Sequence, residues 1–384
     1  MRIPLLVIQQ VAVAWVLFFF AAACAGPGST PTPTPTPLPT HSPVPQAAAH
    51  LGTVNLPDDE GIHLAPVEWW YFNGHLDGSN GNRYSFHFVT FIIVTSDGQI
   101  PQLMQLSLAD HGAGLYLTDE MPALVNNLQP TKGLFTFDIE EWHMSGAVTG
   151  VESAYELVFN AGGYTLDLAA KSQSPAVLHQ EEGLVDLGRA GKTYYYSRPK
   201  LDISGTLTQN GMPVQVAGKA WMDHQWGDLN TLPIGWDWAS LQMDDGSELM
   251  ISLVWDSSTG EPITSYGTYV PGEIVGQSTV GASSMSRHLP GDAISLTSKD
   301  AWRSPATGVE YPSGWLLEVS SLELAVNLVP IQENAEFGDS LYVPIAYWEG
   351  AVAISGTKHG DKITGKGFVE LVGYDKVPPE ARLP

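Results

Sequence analysis

The chain states one pattern twice, and that repetition limits what it can fold into. Ile203-Ser204-Gly205-Thr206 returns as Ile354-Ser355-Gly356-Thr357. The first copy is followed by Gly218-Lys219-Ala220-Trp221-Met222-Asp223 and the second by Gly365-Lys366-Gly367-Phe368-Val369-Glu370. Both read as a strand, a turn, and a strand that carries an aromatic residue and finishes on a carboxylate. The starts of the halves correspond too. Glu68-Trp69-Trp70-Tyr71-Phe72-Asn73-Gly74 leads through Asp77-Gly78 into a β-rich run, and Gly235-Trp236-Asp237-Trp238 leads through Asp244-Asp245-Gly246 into another. A duplication implies two similar domains, with a ligand site in either one or between them. The 384 residues also exceed what one hydrophobic core usually serves, about 250–300 residues.

The first residues stand apart from the fold. Arg2 is followed by an apolar run from Ile3 to about Ala23, then by Cys24-Ala25-Gly26. A short charged start, an apolar stretch and small residues make a secretory signal. The cysteine at the cut resembles a bacterial lipobox, and Cys24 is the one cysteine of the chain. It is therefore the expected lipidation site, which would tie the protein to a membrane through an N-terminal anchor. The other readings are an ordinary signal peptide or an uncleaved anchor helix. Pro31-Thr32-Pro33-Thr34-Pro35-Thr36-Pro37 then favours extended polyproline II, a semi-rigid spacer that packs no core. The expected layout is a signal at 1–23, a lipidated cysteine and Pro/Thr-rich linker at 24–49, an N-terminal domain at 50–225 and a C-terminal domain at 226–384. The expected location is the outer face of the cytoplasmic membrane or the extracellular medium. A formal net charge of −24 makes nucleic acid a poor partner.

The body reads as all-β. Arg83 to Phe91 places Tyr84, Phe86 and Phe88 on one face, which is the strand period of two. Stretches 164–168, 201–203 and 248–255 read as strands as well. Turn signals at Asp97-Gly98, Asn210-Gly211, Asp245-Gly246 and His359-Gly360 separate many short strands. At most, Asp110 to Asn127 holds a short helix. Many antiparallel strands in two halves suggest closed or nearly closed barrels or sandwiches, and such barrels can enclose an apolar ligand.

Residues with chemistry gather in two places. One is His63 through His75, with Glu68, Trp69, Trp70 and Tyr71. The other is Trp221 through Trp238, with Asp223, His224, Gln225, Trp226, Trp236, Asp237 and Trp238. Five of the twelve tryptophans lie between 221 and 255. Carboxylates and a histidine set among indoles are desolvated, which raises a carboxyl pKa. A protonated acid beside aromatic faces can protonate a double bond, and the ring quadrupoles can stabilise the cation formed. Glu68 has no counterpart before Trp236, where Gly235 stands, and His224 has none at Leu371. Asp223 and Glu370 match each other, which points to a shared structural duty.

The ordered motifs EWWYFNGHL, G-x-AWMDHQWG, GWDW and YWEGAV-x-ISG resemble those of the AttH-like and carotenoid 1,2-hydratase (hydroxyneurosporene synthase) superfamily, over about residues 50 to 380. The resemblance implies two tandem lipocalin-like antiparallel β-barrels, often secreted and loosely labelled hydrolases. It also implies a hydrophobic small molecule as partner, since members add water to the terminal double bond of acyclic carotenoids or rearrange polyenes. The matching acid–base candidates are His224, Trp226 and Asp237, with Asp223 as the alternative acid and Glu68 as a second candidate. Trp69, Trp70, Tyr71, Gln225, Trp226, Trp236 and Trp238 are the expected ligand contacts.

Other chemistries find less in the residues. There is no G-x-S-x-G elbow, and Asp110-His111 and Asp223-His224 are adjacent pairs whose side chains point to opposite faces of a strand. His63, Glu68, His75 and His87 lie near one another, yet no HExxH or paired-cysteine spacing appears, so no metal and no cofactor is expected. Two classes of function fit: an acid-initiated, hydratase-like addition or rearrangement on an isoprenoid or other polyene, and non-catalytic binding of a hydrophobic ligand. Both place an acid–imidazole cluster beneath indoles.

Overall fold

The computed structural model describes residues 53–376, apart from 127, 150–151, 173, 181, 230–233, 273–285, 339 and 343–345. The signal, Cys24 and the Pro/Thr linker lie outside the described residues. Among the described residues no helix is long and apolar enough to cross a membrane.

The first half contributes β1 (Val67–Gly78), β2 (Arg83–Ile93), β3 (Ile100–Asp110), β4 (Leu115–Val125), β5 (Leu134–Ile139) and β6 (Trp142–Thr149). It continues with β7 (Glu152–Ala161), β8 (Tyr164–Ser172), β9 (Val177–Leu178), β10 (Leu184–Asp186), β11 (Gly191–Gln209) and β12 (Met212–Leu229). The second half contributes β13 (Ile234–Met243), β14 (Glu248–Asp256), β15 (Pro262–Val270), β16 (Arg287–Pro290) and β17 (Ile294–Arg303). After these come β18 (Glu310–Val319), β19 (Leu324–Pro330), β20 (Glu336–Phe337), β21 (Tyr347–Lys358) and β22 (Asp361–Val372).

The repeat in the sequence is a repeat in topology. One sheet runs β4-β3-β2-β1-β12-β11-β8-β7-β6-β5 and the other β16-β15-β14-β13-β22-β21-β19-β18-β17. In each, the first strand of the half pairs with the last, which bends the sheet toward a barrel. The lipocalin-like tandem barrels expected from the sequence are thus observed. The repeated Ile-Ser-Gly-Thr segments lie at the same place in β11 and β21. Each leads into the last strand through a two-residue turn, Asn210-Gly211 or His359-Gly360, with positive φ at both residues. That is the hairpin geometry an Asn-Gly or His-Gly pair provides with little strain. The glycine of each copy is a close approach: a Cβ on Gly205 would sit 2.0 Å from the Asp167 carbonyl, and one on Gly356 2.1 Å from the Ala325 carbonyl.

Two expectations are corrected here. Residues 115–125 form β4, paired in register with β3 from Asp110↔Leu115 to Ile100↔Val125, and not a helix. Pro122 fits because β4 is an end strand of its sheet path, where a missing N–H costs little. The boundary between residues 225 and 226 cuts β12, which keeps its pairing with β11 as far as Leu229. The first barrel's sheet therefore ends at Leu229 and the second begins at Ile234.

Each barrel has its own apolar interior, and a third core lies between them. The first holds Trp70, Phe72, Tyr84, Phe86, Phe88, Trp142, Tyr196, Met222 and Trp226. The second holds Trp255, Tyr311, Trp315, Trp348, Leu371 and Tyr374. The seam buries Tyr71, Trp221, Trp238, Ala351 and Phe368, with Trp69 and Trp236 packed against it. Alternation along the strands explains the division. On β1, Glu68, Trp70 and Phe72 point into the first barrel, while Trp69, Tyr71 and Asn73 point to the seam. Polar contacts cross the seam: Asn73 Nδ2 donates to Ser240 Oγ at 3.0 Å, Tyr71 O–H to Glu349 Oε1 at 2.7 Å, and Gln242 Nε2 to the Pro199 carbonyl at 2.6 Å.

Candidate functional site

Two rows of side chains cross three strands on the inner face of the first barrel. Register places Trp70 opposite His224, and His224 opposite Tyr196. The next row is Glu68, Trp226 and Tyr194. The segment ahead of β1 folds over the end of these rows and brings His63 and Glu60 to them. It is tied down by Val54 N–H on the Glu182 carbonyl, Ile62 N–H on Thr131 Oγ1, and the Trp70 indole N–H on the Glu60 carbonyl.

Glu68 is the centre of this arrangement. Its side chain is fully buried, as is that of His224, while His63 is 22% exposed. Oε1 accepts from Nδ1 of His63 at 2.7 Å and lies 2.9 Å from Nε2 of His224. Oε2 accepts the backbone N–H of His63 at 3.0 Å. Trp226 stacks on His63, with centroids 4.0 Å apart and planes within 3°. Trp70 stacks on His224 at 4.2 Å.

The charges follow from these contacts. Burial alone would lower the pKa of His63, but hydrogen bonds to Asp59 and Glu68 carry it up to about 9. Burial pushes Glu68 up, and the two imidazoles outweigh it, so Glu68 lies below the usual carboxylate range. Burial lowers His224, and Glu68 offsets this only in part. At neutral pH the trio therefore holds an imidazolium, a carboxylate and a neutral imidazole. With Nε2–H of His224 on Glu68, its Nδ1 accepts from Tyr196 O–H at 3.2 Å. Behind Tyr196 sits a second buried group: Glu60 accepts from Arg198 Nη2 at 2.7 Å and from Tyr155 O–H at 2.5 Å.

The ligand atoms of His63, Glu68 and His224 lie within 4.8 Å of one another, and two histidines with one carboxylate are a set zinc accepts. The separations of 2.7 and 2.9 Å on a single oxygen are hydrogen-bond lengths. As arranged, the set holds protons.

The remaining sequence candidates fall elsewhere, so the single cluster expected from the sequence is three separate groups. Asp223 faces the seam, where it accepts from Ser197 O–H at 2.5 Å, Tyr195 O–H at 2.7 Å and the Trp221 indole at 2.7 Å. Burial still pushes it up to about 6. Trp69, Tyr71, Trp236 and Trp238 also belong to the seam. On the same strand face as Asp223, Gln225 donates to Thr193 Oγ1 at 2.7 Å. Asp237 points the other way on β13, accepts from Tyr374 O–H at 2.8 Å, and is pushed by burial to about 6. Adjacent residues of a strand cannot share a face, and Asp223 and His224 part to opposite sides of β12 as their adjacency implies. The contact of His63 with Glu68, and that of Tyr196 with His224 Nδ1, join residues that no sequence spacing links. The Tyr194-Tyr195-Tyr196 run was the available signal, since its outer two members must share the face of His224.

Comparison with known proteins agrees with this architecture. The model of the family described as AttH-like matches residues 47–374. A protein assigned as AttH from Nitrosomonas europaea has a similar structure, with a TM-score of 0.71 and 25% identity, over 84% of this chain and 97% of that one. Kievitone hydratase from Nectria haematococca shares the fold, with a TM-score of 0.61 and 18% identity over 85% of this chain and 94% of its own. Kievitone hydratase from Fusarium solani subsp. phaseoli is 24% identical over 212 residues, which are 54% of this chain and 57% of that protein. The chain thus spans a little over half the length of this curated relative.

Proposed function

The chain belongs to the AttH-like family, and from that premise we propose that it adds water to an electron-rich double bond of a hydrophobic, isoprenoid or polyene small molecule. The observation that carries the reading is Glu68, buried between two imidazoles beneath two indoles. A relative that is a hydratase by name supports the reaction class, and the partly exposed edge of His63 supports access from one end of the barrel.

The protons balance within the trio. His63, as imidazolium, gives its proton to one carbon of the double bond. Positive charge develops on the other carbon, beside the exposed edge of His63, where the carboxylate of Glu68 offsets it. Water attacks that carbon and returns a proton to His63, leaving the trio as it began. Glu68 holds the negative charge opposite the imidazolium, and His224 fixes the orientation of Glu68. The sum is one water added and one double bond removed.

In the cell, we place the protein outside the cytoplasmic membrane, held by a lipid on Cys24. The apolar run before Cys24 and the spacer after it support this. The mass of the N-terminal peptide from protein extracted from its own cells decides it: a diacylated Cys24 is expected, and an unmodified or uncleaved start overturns it.

The test of the reaction is mass spectrometry of hydrophobic olefins incubated with the protein, reading the gain of one water. Glu68→Gln is expected to lower turnover about 10²- to 10⁴-fold with ligand uptake retained. Uptake with no water gained by the unaltered protein would establish the non-catalytic binding reading instead. Turnover that survives Glu68→Gln unchanged would remove the trio from the reaction.

A further inference from the structure

A cleft lies where the last residues of β1 in the first barrel meet β22 of the second. His75, Asp77, Arg83, His111, Ile331 and Lys366 line it. Register brings them together. Asp77 pairs with Arg83 and His75 with Ser85, so these four share the outward face of β1 and β2. Lys366 stands two positions from Phe368 on the same face of β22. His75 is six positions along β1 from Trp69, about 20 Å at 3.3 Å per residue, so the cleft is remote from the indoles and from Glu68. Its floor is fixed: His75 is 7% exposed, and its Nε2 donates to the Gly367 carbonyl, beside Lys366, at 3.1 Å.

The charge at this cleft runs against that of the molecule. The chain carries 41 acidic and 17 basic residues, yet the cleft collects a guanidinium from one barrel, an ammonium from the other and two imidazoles. Among the described residues Arg83 and Lys366 form no ion pair. Asp77 is the one carboxylate of the lining, and it is exposed. Asp110, next to His111, is occupied by Tyr164 O–H and the Ala113 N–H, each at 2.9 Å. Nε2 of His111 lies 3.0 Å from Ser85 Oγ, and its Nδ1 has no hydrogen-bond partner. Burial and Arg83, with Lys366 in the same sense and Asp110 against it, hold His111 below its ordinary 6.5. Burial and Lys366 lower His75 to about 3. Both rings are therefore neutral at neutral pH, and two cations face one acid.

We propose that this cleft binds an oxyanion, a phosphate or carboxylate group, bridged between the Arg83 guanidinium and the Lys366 ammonium. Arginine presents a planar fork that matches two oxygens, and lysine adds a mobile point charge. A group held in this way ties one barrel to the other. Its negative charge also favours a proton on His111, so affinity rises as pH falls toward 6. Asp77 opposes the anion, and its removal tightens binding. The site stands independently of turnover at His63, Glu68 and His224.

The test uses the full chain with inorganic phosphate and acetate as probes, against sodium chloride at equal ionic strength. Magnetic resonance of the histidine rings, with His111→Gln to assign the signal, should show saturable binding of a probe and a His111 pKa raised further than by chloride. Arg83→Gln and Lys366→Gln should each weaken binding about tenfold, and Asp77→Asn should strengthen it. Lys171→Gln, at an exposed lysine elsewhere, should change nothing. Saturable binding of either probe with this pattern of variants supports the site, and the tighter probe names the group. An equal shift with chloride would show screening alone and overturn the proposal. So would binding that survives in the double variant Arg83→Gln with Lys366→Gln.

Discussion

His224 and Asp223 are neighbours in the chain and face opposite sides of β12. His224 lies under Trp70 inside the first barrel, and Asp223 is held by Ser197, Tyr195 and Trp221 at the seam. One strand thus carries a member of the buried trio on one face and a residue of the seam on the other. Changes at the two positions are expected to separate cleanly. His224→Gln should alter the inner trio while leaving the seam intact. Asp223→Asn should loosen the contacts between the barrels while leaving the trio in place.

The pH dependence of stability follows from His63. Its folded pKa, about 9, is raised above the ordinary 6.5. The stabilisation it brings is fully present below pH 6.5 and is lost as pH rises through about 9. At about 1.4 kcal/mol per pKa unit, the loss amounts to about 3 kcal/mol. Urea unfolding from pH 6 to pH 10 should show this decline in the unaltered protein. It should be absent in His63→Gln, and a decline of equal size in that variant would assign it to other groups.

Asp237 has the opposite sign. Burial raises its folded pKa from 3.8 to about 6, so the unfolded chain ionises first as pH rises. Ionisation therefore works against the fold between about pH 4 and pH 6, and the full penalty remains above that. Asp237→Asn keeps an acceptor for Tyr374 O–H and removes the charge. It should stabilise the protein by about 3 kcal/mol at pH 8 and leave stability nearly unchanged at pH 4. Calorimetric melting at the two pH values measures the difference.

Much of this fold is legible in the residues, because its determinants are local. The repeat, the alternation of Tyr84, Phe86 and Phe88, and the Asn210-Gly211 turn each act within a few positions. Residues 115–125 are ambiguous because Leu117, Met121 and Leu124 have helical spacing while Leu115 and Leu117 have strand spacing, and only pairing with β3 decides. The site was less legible for a similar reason. His63 and His224 meet at Glu68 through the folding of a terminal segment over a barrel end, which no spacing encodes. Arg83 and Lys366 border one cleft only because β2 and β22 reach the same place in the fold.

The glycines of the repeated segments test the structural basis of the duplication. A Cβ at Gly205 or Gly356 would meet backbone carbonyl oxygens, those of Asp167 and Ala325, which cannot swing aside as a side chain would. Gly205→Ala and Gly356→Ala should each cost about 2–3 kcal/mol. Ser204→Ala and Ser355→Ala, at exposed neighbouring positions, should stay within about 0.5 kcal/mol. Denaturant midpoints for the four variants check this, and tolerance of alanine at either glycine would show that the strands can shift to admit it.

The buried pair of Glu60 and Arg198 offers the sharpest contrast between removing one charge and removing both. Arg198 is 3% exposed and Glu60 is fully buried, and Tyr155 also depends on the carboxylate. Glu60→Gln leaves a guanidinium without its anion inside the first barrel and should cost about 3–5 kcal/mol. The double change Glu60→Gln with Arg198→Met removes both charges and keeps an acceptor for Tyr155. It should recover most of that loss, since the Coulomb gain of a buried pair roughly balances its desolvation. Denaturation of the two single variants and the double variant gives the coupling energy directly. A double variant no more stable than Glu60→Gln would show that the carboxylate matters for its contacts with the segment carrying His63, and not for charge balance.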